Sequence, residues 1–302
     1  MRRRDVFPVM AGFTVWAATT PSQTAAAPPA AFESETVRQL ARDLAHKPYQ
    51  APDKTLPDDL AKLDYSAFQT LRFKKSQALW RGNGGRFTVE FFHRGYLFKD
   101  RVDIFEVADG KALPIIYSPD MFDLAKLASI PSANIGFAGF RVHCPLNRPD
   151  YFDEVCAFLG ASYFRAVAKH QVYGLSARGL SIKTGDPGGE EFPVFKQFWL
   201  ERPSKDSNVL VIHALLDGPS AAAAFRFTLR PGDETVMDTQ MALYPRVDVT
   251  QAGLAPMTSM FFFDVNDRGG YDDYRAAVHD SDGLGMLRGT GEQVWRTLSN
   301  RR

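Results

Sequence analysis

From Leu71 onward the chain is a succession of short runs rich in Val, Phe, Tyr and Ile, each closed by Gly, Asn, Asp or Pro. The clearest runs are 86–92, 101–107, 136–142, 195–200, 209–215, 222–229 and 236–242. Residues of this type in runs of this length favour strands, and the turn formers between them send the chain back on itself. A parallel α/β sheet needs a helical crossover between successive strands, and no run of long helices separates these segments. The expected fold class is therefore all-β, a large β-sandwich. Gly82-Asn83-Gly84-Gly85 reads as a hairpin turn between two strands.

The segment ahead of the strands has a different texture. Phe32, Val37, Leu40, Ala41 and Leu44 fall at helical spacing, and Lys47-Pro48-Tyr49 ends the pattern, so a short amphipathic helix is expected over 32–45. A second, shorter helical turn is expected over 56–63, with Pro57 near its start. Earlier still, three arginines at 2–4, an apolar stretch over 7–18 and Ala25-Ala26-Ala27 make the three zones of a cleaved export signal, assigned to residues 1–27. That stretch is well short of the ~20 residues a spanning helix needs, so no stable membrane insertion is expected. The arginines followed by Asp5 and two apolar residues resemble a twin-arginine signal, an address read by an export translocase. An ordinary secretory signal with a basic start is the alternative. Residues 28–302 read as one domain without an internal repeat or linker.

Formal charge is +1 over the whole chain and turns slightly negative once Arg2, Arg3, Arg4 and Asp5 are removed. Without a clustered basic face, nucleic acid is not an expected partner. Cys144 and Cys156 are too few for a disulfide scaffold and lack zinc-site spacing, leaving two buried thiols or one periplasmic disulfide as the options. His93, His143, His170, His213 and His279 show no paired metal-binding arrangement, and no glycine loop reads as a phosphate cradle, so neither a metal nor another cofactor is expected. Aromatic residues make up 13% of the chain, and several stand in polar company, as in Ser162-Tyr163-Phe164-Arg165 and Glu190-Glu191-Phe192-Pro193. That mixture suits a sugar, whose C–H faces lie on aromatic planes while its hydroxyls need polar partners, although aromatic side chains in a sandwich also build the core.

Several blocks together resemble one family. They are the stretches 136–141, 158–165, 173–180, 189–195 with Phe198-Trp199, 214–217, and 278–284 followed by Gly291-Glu292 and Trp295-Arg296. In order and spacing they are similar to the periplasmic osmoregulated glucans biosynthesis proteins of the G/D type, over about 32–295. The twin-arginine-like start leans toward the D type. The resemblance implies a galactose-mutarotase-like supersandwich with a long cleft, followed by a smaller immunoglobulin-like domain. Members run far beyond the Trp-Arg block, so the last strands of the sandwich and that second domain are expected to be missing here.

The same resemblance implies a periplasmic protein that binds and shapes or trims a β-1,2-linked glucan backbone, with a membrane glucan synthase as a further partner. Some members resemble glycoside hydrolases, which use two carboxyl groups flanking the scissile bond. Asp280, in His279-Asp280-Ser281-Asp282-Gly283, is the candidate general base, and its acid partner would lie in the missing segment. Asp280 and Asp282 could equally close a turn through side-chain to backbone bonds. Tyr163, Arg165, Tyr173, Ser176, Arg178, Glu190, Glu191, Trp199 and Asp282 are the candidate substrate-binding residues. Arg165 and Arg178 suit sugar hydroxyls through their guanidinium forks but suit structural ion pairs as well. Glu190 and Glu191 are adjacent in an extended segment, so at most one should face the cleft. Whether the chain is an enzyme is left open. A hydrolase using Asp280, a non-catalytic glucan-binding scaffold and an inactive fragment all fit the residues.

Overall fold

The computed structural model describes residues 30–124 and 134–300, so the export signal assigned to 1–27 lies outside the described residues. Two sheets face each other. The larger has seven strands, in the order Ala30–Ala31, Lys111–Pro114, Asp103–Ala108, Val194–Glu201, Leu210–Asp217, Ala221–Arg230 and Val236–Pro245. The smaller has five, in the order Ala177–Arg178, Tyr163–Ala166, Asp153–Leu159, Gly139–Cys144 and Thr88–Phe92. All neighbours are antiparallel except one pair, Asp103–Ala108 with Val194–Glu201, which runs parallel with Asp103 opposite Gln197. Each run expected from sequence forms a strand, shifted by no more than a few residues at either end.

Period-two alternation decides which side chains enter the core. Val89, Phe91, Phe140, Val142 and Phe158 point inward from the five-stranded sheet, while Phe195, Phe198, Leu200, Ile212, Leu216 and Phe227 point inward from the seven-stranded one. Phe158 is the hub, with ring centroids 5.1 Å from Phe140, 5.2 Å from Phe198 and 5.1 Å from Phe227. Cys144 and Cys156 are free and buried among these residues, and burial pushes the Cys144 thiol up to about 11.

The far face of the seven-stranded sheet is covered by the helix α1, Thr36–Ala45. It starts four residues later than its apolar spacing suggests, because Phe32 still follows the short first strand and donates its N–H to Gly110 O at 2.8 Å. Val37 and Ala41 of α1 pack with Phe32, Trp199, Leu215 and Ala224 as a second apolar layer. Helices α2, Asp58–Ala61, and α3, Tyr65–Thr70, follow, the first preceded by Pro57 and the second capped by Asp64, which accepts from Ala67 N at 2.8 Å. The glycine cluster at 82–85 does turn the chain back: Leu79 bridges Val89 across it, with Gly82 and Gly84 at positive φ. Residues 252–297 add three small pairings, of Ala252–Leu254 with Leu180–Ile182, Phe261–Phe263 with Val278–His279, and Gly283–Leu287 with Gln293–Thr297. Among the described residues no helix is long and apolar enough to cross a membrane.

Candidate functional site

The outer face of the five-stranded sheet is assembled by strand register. Glu90 lies opposite Arg141, Arg141 opposite Ala157, and Ala157 opposite Arg165, so one row crosses four strands. Residues directly opposite in antiparallel pairs share a face. The short Ala157 leaves a dip between two guanidinium groups. A bulge between Val142 and His143 brings Glu154 opposite His143, so that a second carboxylate joins the row while Val155 stays in the core. Arg141 then donates to Glu90 Oε2 at 2.7 Å and to Glu154 Oε2 at 3.0 Å. Burial opposes the charge on Arg141, but the two carboxylates, Glu90 first, outweigh it and hold its pKa above the ordinary value. Burial pulls the neighbouring His143 below its ordinary value, against the attraction of Glu90.

Beside this ionic row lies an apolar one. A cavity of about 230 Å³ is lined by Phe92, Phe98, Leu159, Tyr163, Arg165 and Ser176, and a second of about 220 Å³ shares Phe98, Leu159 and Tyr163 with it. Arg165 stands over the Tyr173 ring at 4.2 Å. The Tyr173 hydroxyl is buried against Glu154 without a hydrogen bond of ordinary geometry, and burial first, then Glu154, holds it well above the usual phenol range. Ala177–Arg178 pairs with Phe164 and Tyr163, which turns Arg178 toward the same face, over Tyr163 at 5.7 Å and Phe192 at 4.4 Å. Its guanidinium also donates to Glu190 Oε1 and, at 3.2 Å, to Glu191 O.

Of the residues expected to bind substrate, the structure thus brings together Tyr163, Arg165, Tyr173, Ser176 and Arg178, with Glu190 as the ion partner of Arg178. Glu191 turns away, as adjacent extended residues must. Its carboxylate accepts from Ser220 N at 3.0 Å and Ser220 Oγ at 2.6 Å, fastening the turn between two strands of the other sheet. Trp199 departs from its expected place in the groove. Phe198 and Leu200 face the inter-sheet core, so Trp199 must face α1, where it is 4% exposed and stacks on Phe105 at 5.4 Å.

Asp280 and Asp282 stand apart from the row. Asp280 is exposed and accepts from Met260 N at 2.6 Å, while its own N–H donates to Met260 O at 2.9 Å. Asp282 lies 3.4 Å from His279 Nδ1, and Asp264 lies 3.6 Å from Nε2 of the same ring. The link to the face is through backbone, since Met257 bridges Ala177 and Thr258 N donates to Ser176 O at 2.7 Å. Sequence reasoning missed Glu90, Phe92, Phe98, Arg141 and Glu154. The available signal was a lone charged residue at an alternate position of a largely apolar run, as Glu90 stands in Thr88-Val89-Glu90-Phe91-Phe92 and Arg141 in Gly139-Phe140-Arg141-Val142. Among the described residues no group of three or more His, Cys, Asp or Glu is placed to hold a metal ion.

The outer face of the five-stranded sheet thus carries aromatic rings, guanidinium groups and carboxylates side by side. The model of the family described as "Periplasmic glucan biosynthesis protein, MdoG" matches residues 32–302, and this chain belongs to that family. It is 57% identical over 304 residues to the glucans biosynthesis protein G of Rhodopseudomonas palustris (strain BisA53), covering 100% of this chain and 61% of the relative. Similarity to the protein G of Bradyrhizobium diazoefficiens is 59% over 89% of the chain and 54% of the relative, and to that of Vibrio cholerae 49% over 89% and 50%. The chain therefore spans about half to three fifths of the length of these relatives. All three are named as G proteins, whereas the lean toward the D type rests on the basic start, which lies outside the described residues.

Proposed function

We propose that this chain binds a glucan along the outer face of its five-stranded sheet and guides or shapes a β-1,2-linked backbone during periplasmic glucan biosynthesis. The observation that carries this reading is the juxtaposition of two rows. Arg165 stacked on Tyr173 continues into Phe92 and Phe98, and the Glu90–Arg141–Glu154 chain runs alongside. A pyranose needs both, a plane for its C–H face and fixed donors and acceptors for its hydroxyls. An export translocase and a membrane glucan synthase are the partners that go with this role.

A scaffold is favoured over a hydrolase. A general acid must hold a transferable proton beside the scissile bond. On the face itself Glu90 and Glu154 are both engaged by Arg141, and Asp280, the candidate base, stands apart from the face with its carboxylate on Met260 N. The test is calorimetric titration with a linear β-1,2-glucan, comparing the parent with Arg165→Ala and Tyr173→Ala. Each substitution should weaken binding about two- to fivefold, equivalent to the ~0.5–1 kcal/mol of a cation–aromatic contact whose guanidinium is exposed. Unchanged affinity in both would refute the assignment of this face. Hydrolysis of the glucan that disappears in Asp280→Asn would replace the scaffold with an enzyme.

A further inference from the structure

We infer that a second saccharide site lies on the opposite side of the molecule, beneath the C-terminal end of α1. The reading rests on the proposed function only in its choice of ligand. A cavity of about 380 Å³ opens there, against about 230 and 220 Å³ for the two beside the five-stranded sheet. Small-ligand sites begin at roughly 300 Å³. Its walls come from α1, from the segment after it, and from the outer face of the seven-stranded sheet, where Gln197 lies opposite Asp103.

The lining selects a chemical class. Asp43, Asp53 and Asp103 face Lys47, Arg101 and Lys196, so the signs balance and neither an anion nor a cation is favoured. Most of these charges are already engaged. Arg101 Nε donates to Asp103 at 2.9 Å, Lys196 to Asp217 at 3.1 Å, Thr55 N to Asp53 at 2.8 Å and Gln39 Nε2 to Asp43 at 2.7 Å. Engaged charges keep hydrogen-bonding capacity but offer little net field, which suits hydroxyls that donate and accept at once. Gln50 and Gln197 contribute carboxamides, while Leu40, Leu44, Pro52 and Leu215 supply aliphatic contact for a ring face. A neutral hexose unit meets all of these demands. Because Phe198 and Leu200 fill the core between this cavity and the five-stranded sheet, the two faces would hold separate sugars.

The experiment titrates the whole chain by calorimetry with a short β-1,2-linked gluco-oligosaccharide, too short to reach both faces. The parent should bind two per chain and Gln197→Leu one, whereas Arg165→Ala should keep two, with the affinity of one of them lowered. Gln50→Trp, at an exposed rim position, should reproduce Gln197→Leu by filling the cavity, and it decides the matter if Gln197→Leu does not unfold cooperatively. A parent that binds one sugar, weakened in Arg165→Ala and unchanged in Gln197→Leu and Gln50→Trp, overturns the second site and leaves the first intact. The converse pattern, loss in the two glutamine variants alone, upholds the second site and removes the first. No binding by the parent overturns both.

Discussion

His93 shows how a single buried ring couples this fold to pH. Its Nδ1–H donates to Arg94 O at 2.6 Å, its Nε2 accepts from the Tyr117 hydroxyl at 2.9 Å, and burial lowers its pKa from 6.5 to about 4. The folded state therefore refuses a proton that the unfolded chain accepts below pH 6.5. Stability that is full above 6.5 should fall as the pH drops toward 4, by up to about 3 kcal/mol from this residue. Urea midpoints recorded between those limits should fall less steeply in His93→Gln than in the parent, and identical slopes would contradict the assignment. The same scale shows what could be read from sequence. Tyr163, Arg165, Ser176 and Arg178 could be singled out because aromatic and polar residues stand together in the blocks that resemble the family. Trp199 stands in similar company, but its face depends on the bulge between Phe195 and Gln197 and on a helix docking from far away in sequence, neither of which leaves a local mark.

At the scale of elements, the strands were legible almost to their ends, since alternation and turn residues are local properties of the chain. The start of α1 was not, because Phe32 has helical spacing but is claimed by a hydrogen bond to Gly110. How α1 is fastened was invisible as well. Arg246, just past the last strand of the large sheet, donates to Leu44 O at 2.8 Å, to Lys47 O at 3.0 Å and to the buried Asp217 at 2.7 Å. It joins the open carbonyls at the end of α1 to a carboxylate that is 1% exposed. Arg246→Ala should cost about 2–4 kcal/mol, because among the described residues Asp217 then keeps only Lys196 as an ion partner and the helix end loses its donors. Amide exchange across 40–45 should accelerate more than in the central strands, and uniform acceleration would argue against a local clasp.

At the scale of the molecule, one aromatic cluster holds two sheets of unequal width together. Phe158→Ala should destabilise the whole unit by about 3–5 kcal/mol, the range for emptying an aromatic site in a core. Thermal unfolding followed in the near and far ultraviolet should shift together, and separate transitions would show that the sheets unfold independently. Sheet pairing was the least legible level of all, since which strand meets which is set by contacts between segments remote in sequence. The sandwich class followed from texture, but the parallel pairing of Asp103–Ala108 with Val194–Glu201 had no signature in either segment.

That pairing also sets a schedule. The strands of the five-stranded sheet from Gly139 to Arg178 all lie between its two partners, so the large sheet cannot close through its middle until the ribosome has released the intervening chain. Distant closure of this kind slows folding, and refolding from denaturant should take milliseconds to seconds rather than microseconds. During that interval the Phe-rich inner faces stand uncovered. The nascent chain thus spends its most adhesive moments waiting for a neighbour that has yet to be made, and dilution or a holding chaperone should raise the yield more than any change of temperature.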